Sequence, residues 1–163
     1  MPHLELRPLL DDDLDAMYEM LIREPAAAAA LPGVTVEDPL DRSVFDASIA
    51  AERASDDIDS FAVTENGAFV GTAGTFTFKD DREVVFWIAR AARGRGLATQ
   101  ALRMLVSREP IRPLYARVAA DNAAAIAVLQ RIGFAEVSRE PAAPAARHTG
   151  ELLYALLPVL DGI

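Results

Sequence analysis

Between an apolar run, Val84-Val85-Phe86-Trp87-Ile88-Ala89, and an amphipathic helical pattern lies Arg93-Gly94-Arg95-Gly96-Leu97-Ala98. A strand, a glycine turn and a helix start, in that order, make a cradle for an anion. The glycines let main chain approach a bulky ligand with no Cβ in the way, and the first helical N–H groups stay unpaired and point outward. The positive end of the helix dipole, roughly half an elementary charge, adds to the attraction for a phosphate or pyrophosphate. The chemistry indicated is binding of a nucleotide-type cofactor.

Spacing narrows the cofactor. A dinucleotide fingerprint needs a third glycine after Gly96 at Gly-x-Gly-x-x-Gly spacing, and a nucleoside triphosphate loop needs Gly-Lys followed by Ser or Thr. The chain has neither. What remains, Arg93, Gly94-Arg95, Gly96, Leu97, Ala98, resembles the acetyl-CoA signature of the GNAT N-acetyltransferases: Gln or Arg, two residues, Gly, one residue, Gly or Ala. Downstream, Asp121-Asn122 opens a helical pattern that closes in Gly133-Phe134, similar to the second block of that superfamily, with one strand, Pro113 to Val118, between the two blocks. Glu83-Val84-Val85-Phe86-Trp87-Ile88 stands where the ribosomal-protein N-terminal acetyltransferase subgroup usually carries Glu-Ile-Gly-Tyr-Trp-Ile. The resemblance runs from about Leu4 to Leu157.

The resemblance implies an α/β (α+β) fold: a mixed, mostly antiparallel sheet of about six to seven strands, helices on both faces, and a central strand pair that splays apart. It implies transfer of acetyl from acetyl-CoA to a primary amine by direct attack in a ternary complex. The main-chain N–H groups of Gly94, Arg95, Gly96, Leu97, Ala98 and Thr99 would seat the pyrophosphate, with Arg93 or Arg95 adding charge. The backbone of Phe86, Trp87 and Ile88 would pair with the pantetheine amides and aim one N–H at the thioester oxygen, an oxyanion-type stabilisation. The Asn122 amide fits either a contact to the pantetheine arm or a plain helix N-cap, and the two roles are compatible.

An acceptor amine, with a pKa near ~10.4 for a Lys-type group or ~8 for an α-amino group, is mostly protonated at neutral pH, so attack needs a base. Glu83 is the candidate, with an ordinary strand-end carboxylate as the competing role. The family's other base position, five residues before the helix-opening Asn, holds Arg117. Its usual acid positions hold Leu129, where many members have Tyr, and Ala125, where the ribosomal-type subgroup often has Ser. Water or a hydroxyl such as that of Tyr154 would have to protonate the thiolate. These departures support an alternative from another class, a GNAT-fold acyl-CoA binding or sensing module without catalysis.

Composition sets the frame. At 163 residues the chain fits one domain, 1–163, with 52% hydrophobic and 25% charged residues, an ordinary folded balance. With no cysteine it has no disulfide, cysteine zinc site or thiol nucleophile. A net charge of −9 speaks against nucleic acid and suits a cationic acceptor, either a small-molecule or a peptide amine. No apolar run approaches the ~20 residues of a membrane helix, and the N-terminus carries no secretory pattern, so no membrane partner and a cytoplasmic location are expected. The two histidines, His3 and His148, read as surface residues, and no metal is expected. Pairing of last strands into a homodimer is common in the family and compatible with this chain.

Leu4 to Arg7 alternates as a short strand, and Asp11-Asp12-Asp13 precedes Leu14, Met17 and Leu21 at helical spacing, so the aspartates are read as caps. A second helix is expected from about Asp41 to Arg53, in an insert whose Glu37, Asp38, Asp41 and Asp46 form a solvated face or a collar for a cationic amine. Asn66-Gly67 marks a hairpin, and Lys79-Asp80-Asp81 a second turn. Leu97, Ala101, Leu102, Met104 and Leu105 form the buried stripe of the helix after the glycine loop, with Thr99, Gln100 and Arg103 facing out. Pro141 to Ala146 is read as a connector to a last strand, Glu151 to Leu157.

Overall fold

Two tight turns build the centre of the sheet. Asn66 and Gly67, at φ 51° and 86°, join β2 (Ile58–Glu65) to β3 (Ala68–Phe78), and Lys79 and Asp80, at φ 48° and 70°, join β3 to β4 (Asp81–Ile88). Paired positive φ values give hairpin turns whose twist matches that of the strands. Asp81, expected in the second turn, instead opens β4 opposite Phe78. The computed structural model describes residues 3–25, 27, 41–141 and 150–158.

β1 (Leu4–Pro8), β5 (Leu114–Ala119), β6 (Ala135–Pro141) and β7 (Gly150–Leu156) complete a seven-stranded sheet of order β1-β2-β3-β4-β5-β7-β6. Every pairing is antiparallel except β4 with β5. β6 has no counterpart in the sequence reading. It is an edge strand beside β7 alone, and its Glu136, Ser138, Arg139 and Glu140 give it no apolar run to announce it. The connector read from Pro141 to Ala146 lies, apart from Pro141, outside the described residues, as do Glu37, Asp38 and His148.

Two apolar clusters cover the two faces. α3 (Leu97–Arg108) and α4 (Ala123–Ile132) pack Leu97, Leu102, Leu105 and Leu129 against Leu6, Val63, Val84 and Leu114. Full burial of each such leucine is worth about 2 kcal/mol. On the opposite face α1 (Leu14–Arg23) and α2 (Arg42–Ala54) bring Met17, Leu21, Phe45 and Ile49 onto Phe69 and Trp87. The α3 stripe departs from expectation at two positions. Met104 is only half-buried, and Thr99 is half-buried rather than facing out.

Capping follows the sequence in part. Asp41 caps α2 by accepting from the Ser43 N–H at 2.7 Å, and Asn122 caps α4 by accepting from the Ala125 N–H at 3.2 Å. Gly133, at φ 111°, ends α4 in the left-handed region a side chain would strain. The three aspartates do not cap α1: they form a short 3₁₀ turn in which Asp13 accepts from Arg7 at 2.7 and 2.8 Å and from the Leu10 N–H at 2.8 Å. A bidentate arginine outcompetes a helix end for a buried carboxylate.

Candidate active site

β4 and β5 touch over two rungs only, Arg82 with Leu114 and Glu83 with Tyr115. Beyond them β4 stays with β3 as far as Ile88, while β5 follows β7 as far as Ala119, so a wedge opens between the two parallel strands. The Ala89 N–H bonds the Val70 carbonyl at 2.8 Å, which fixes the alternation along β4. Main-chain groups of Ala89, Trp87 and Val85 face β3, and those of Ile88, Phe86 and Val84 face the wedge. Of the three residues singled out on this strand, Phe86 presents its N–H and C=O to the wedge, Ile88 presents its N–H while its carbonyl accepts from Arg93 Nε at 2.8 Å, and Trp87 faces β3.

The pivot of the wedge is fixed by Arg82, which is 7% exposed. Its guanidinium donates to Glu109 at 2.5 Å, Asp59 at 2.6 Å, the Asp57 carbonyl at 2.7 Å, Thr75 at 2.8 Å and Thr77 at 3.2 Å. All five donors are satisfied, tying the C-terminal end of α3 to the start of β4. Burial alone would raise the Glu109 carboxyl, but the Arg82 hydrogen bond and charge, with the Ile111 N–H, outweigh it and leave Glu109 below the ordinary carboxylate range.

Past the wedge the chain makes a 3₁₀ turn at Arg90–Ala92, and Gly94 and Gly96 take φ 85° and 74° before α3 begins. Among the described residues no acceptor meets the N–H groups of Gly94, Arg95, Gly96, Leu97, Ala98 or Thr99; the first bond of the helix is Gln100 N–H to the Gly96 carbonyl at 3.1 Å. The Thr99 Oγ1 is buried without a partner, and a Cβ on Gly94 or Gly96 would meet nothing within 4 Å. This is an open nest of donors at a helix N-terminus, and it fits a pyrophosphate. The two arginines are tied elsewhere. Arg93 donates to the Ile88 carbonyl at 2.8 Å and to Glu24 at 2.6 Å, with its guanidinium 4.8 Å from the Trp87 ring, and Arg95 forks onto Glu65 at 2.5 and 2.9 Å. Glu24 also accepts from the Arg90 N–H at 3.0 Å, so the end of α1 holds the glycine loop.

Glu83 sits at the apex of the wedge, 2% exposed, on the α1/α2 face. Arg117 Nε lies 3.2 and 3.3 Å from its two oxygens. Burial pushes the Glu83 carboxyl above the ordinary range, and the charge and hydrogen bond of Arg117 only partly oppose this. Leu114, Ala116 and Val118 fill the α3/α4 core, so Tyr115 and Arg117 share the face of Glu83. In the sequence Arg117 stands out as a departure from the family pattern, whereas Tyr115, Glu24 and Glu65 do not stand out. Alternation along β5 was the available signal for Tyr115, and none marked the two glutamates. Among the residues weighed for proton donation, Leu129 is 1% exposed in the core and Tyr154, 3% exposed, is buried in the same cluster. Besides Thr99 Oγ1, four buried polar atoms have no partner among the described residues: Glu52 Oε2, Thr64 Oγ1, Thr72 Oγ1 and Trp87 Nε1. No group of three His, Cys, Asp or Glu among the described residues is placed to hold a metal, and none of their helices is long and apolar enough to cross a membrane.

A wedge between parallel strands leading to an open donor nest is what the sequence resemblance implied, and a family model described as an acetyltransferase (GNAT) domain matches residues 3–135. The chain belongs to this family. As a GNAT acetyltransferase it is an acetyl-CoA-dependent acyltransferase. No curated protein matches its sequence. Among solved structures, a probable acetyltransferase shares the fold with a TM-score of 0.77 at 21% identity, over 95% of this chain and 93% of the other. A ribosomal L7/L12 α-N-protein acetyltransferase, RimL, solved with coenzyme A, gives 0.77 at 16% identity, over 94% and 93%. The protein yncA from Salmonella typhimurium, described as a putative acetyltransferase and solved with acetyl-CoA, gives 0.73 at 19% identity, over 94% and 93%.

Proposed function

We propose that this GNAT acetyltransferase moves acetyl from acetyl-CoA to a primary amine, with Glu83 as the proton acceptor. The observation that carries the reading is the alignment of an open nest of donors at the head of α3 with a wedge whose apex holds a buried carboxylate. Bound acetyl-CoA supplies the acetyl carbon and the thiol leaving group. The residues of the chain do the rest. The N–H groups of Gly94 to Thr99 hold the pyrophosphate, and the wedge-facing N–H of Phe86 or Ile88 donates to the thioester oxygen as its charge grows. Glu83, raised by burial toward the working pH, takes the amine proton directly or through water. Asn122 spends its oxygen on capping α4 and keeps its amide donors for the pantetheine arm. The Arg93–Glu24 and Arg95–Glu65 pairs would have to open before either arginine reached a phosphate.

The acceptors named for structural neighbours, a ribosomal protein N-terminus for one and phosphinothricin, in a putative assignment, for another, span peptide and small-molecule amines. Both belong to this reading, as do one domain over 1–163, a cytoplasmic setting and a homodimer. A second reading, an acyl-CoA sensor without turnover, draws on Leu129 buried in the core and on Ala125, which has no hydroxyl. Calorimetric titration with acetyl-CoA and CoA, run beside a thiol-release assay over a panel of amines and peptides, separates them. Binding with release supports the enzyme, binding without release supports the sensor, and no binding removes both.

A further inference from the structure

Two of the arginines that clasp buried carboxylates, Arg82 and Arg117, are used differently. Arg82 spends all five N–H donors on five acceptors and is sealed. Arg117, its side chain 36% exposed, spends only Nε on Glu83; Nη1 reaches Glu151 at 3.5 Å, and Nη2 has no acceptor among the described residues. Its guanidinium is nonetheless held in place, 5.5 Å from the Phe78 ring on one side and pinned by Glu83 on another. A planar fork that is oriented but unfilled is a receptor for a carboxylate or a similar oxyanion. Glu151, 41% exposed and at the limit of hydrogen-bond reach, marks where such a group would sit and leaves it for solvent at little desolvation cost.

Resting on the acetyl-transfer reading, we propose that the acceptor is an α-amino acid, recognised through its carboxylate by Arg117 while its amino group lies at Glu83. The two opposite charges of the acceptor are separated by a single carbon, and their partners here, Glu83 and Arg117, are themselves in contact at 3.2 Å. Binding exchanges one ion pair for two: the acceptor carboxylate takes the outer edge of the guanidinium from Glu151, and the ammonium takes the Glu83 oxygens. Proton transfer to Glu83 then leaves a neutral amine to form the N–C bond as the C–S bond breaks, and the second proton of the amine passes through water to the departing thiolate, which leaves as the thiol. A monoamine lacking the carboxylate would instead place its ammonium beside Arg117 with nothing on the fork to offset the repulsion.

The test measures kcat/KM by thiol release for the common α-amino acids and, for each that reacts, for its carboxamide and its decarboxylated amine. The expected result is a preference on the order of 10² for the free carboxylate, because a polar site left unfilled penalises the analogue. Arg117→Gln should raise KM for the amino acid and leave that of the carboxamide near its starting value, a split that a merely structural arginine would not produce. Glu151→Gln, at a half-buried position, should lower KM for the amino acid several-fold by clearing the fork. Equal rates with the carboxamide, an equal loss on all three substrates in Arg117→Gln, or turnover only of peptides or simple amines would overturn the proposal while leaving acetyl transfer intact. Absence of acetyl-CoA binding, or of release with every amine, would remove the acetyl-transfer reading and the amino-acid assignment with it.

Discussion

Glu83 combines a place at the wedge apex with an environment that resists its own charge. General base catalysis contributes typically 10²–10⁴-fold, so Glu83→Gln should lower kcat by about 10²-fold while calorimetry finds acetyl-CoA affinity unchanged. The pH profile gives a second, signed expectation. A base must be ionised to take a proton, so if Glu83 is the proposed proton acceptor, kcat should rise with pH through its raised pKa. Arg117 pulls that pKa down, so Arg117→Gln should move the acidic limb to higher pH, read from kcat at saturating acceptor. Glu83 was legible as a candidate because it lies next to the apolar run that enters the glycine loop. Its pairing with Arg117 was not, because the contact spans 34 residues of chain and depends on which face of two strands each side chain takes.

At the scale of elements, the junction of α3 with β4 is the part on which the wedge depends. Arg82→Met removes the one cation shared by Glu109 and Asp59 and leaves carboxylates and hydroxyls facing an apolar side chain. A loss of about 3–5 kcal/mol is expected on breaking such a buried pair, measured by denaturant unfolding. Asn122 separates cap from ligand contact: Asn122→Ala should lower stability by about 1 kcal/mol, and a rise in the acetyl-CoA Kd beyond wild type would add the contact to the cap. Turns and helix ends were the most legible elements. Asn66-Gly67 and Gly133 have residue types that the local backbone demands, whereas β6 borrows its strand character from β7, and Asp13 yields its capping role to Arg7, which no local pattern announces.

For the molecule as a whole, the two apolar clusters divide the work. The α3/α4 side carries the donor nest, whose loop is also held by Glu24 at the end of α1, and the α1/α2 side carries the face on which Glu83 and Arg117 lie, so donor binding and fold stability should be coupled through α3. A ligand that binds only the folded chain stabilises it by about 2.7 kcal/mol at a hundred times its Kd. Acetyl-CoA should therefore raise Tm in a concentration-dependent way. Gly96→Trp isolates the nest from the core. A Cβ at Gly96 meets nothing within 4 Å, so the substitution strains only a positive φ, costing on the order of 1 kcal/mol, and the Tm without ligand should fall slightly. The indole would fill the space in front of the open N–H groups, and the rise with acetyl-CoA should vanish. A full thermal shift retained in Gly96→Trp would mean that the pyrophosphate is held somewhere other than the head of α3.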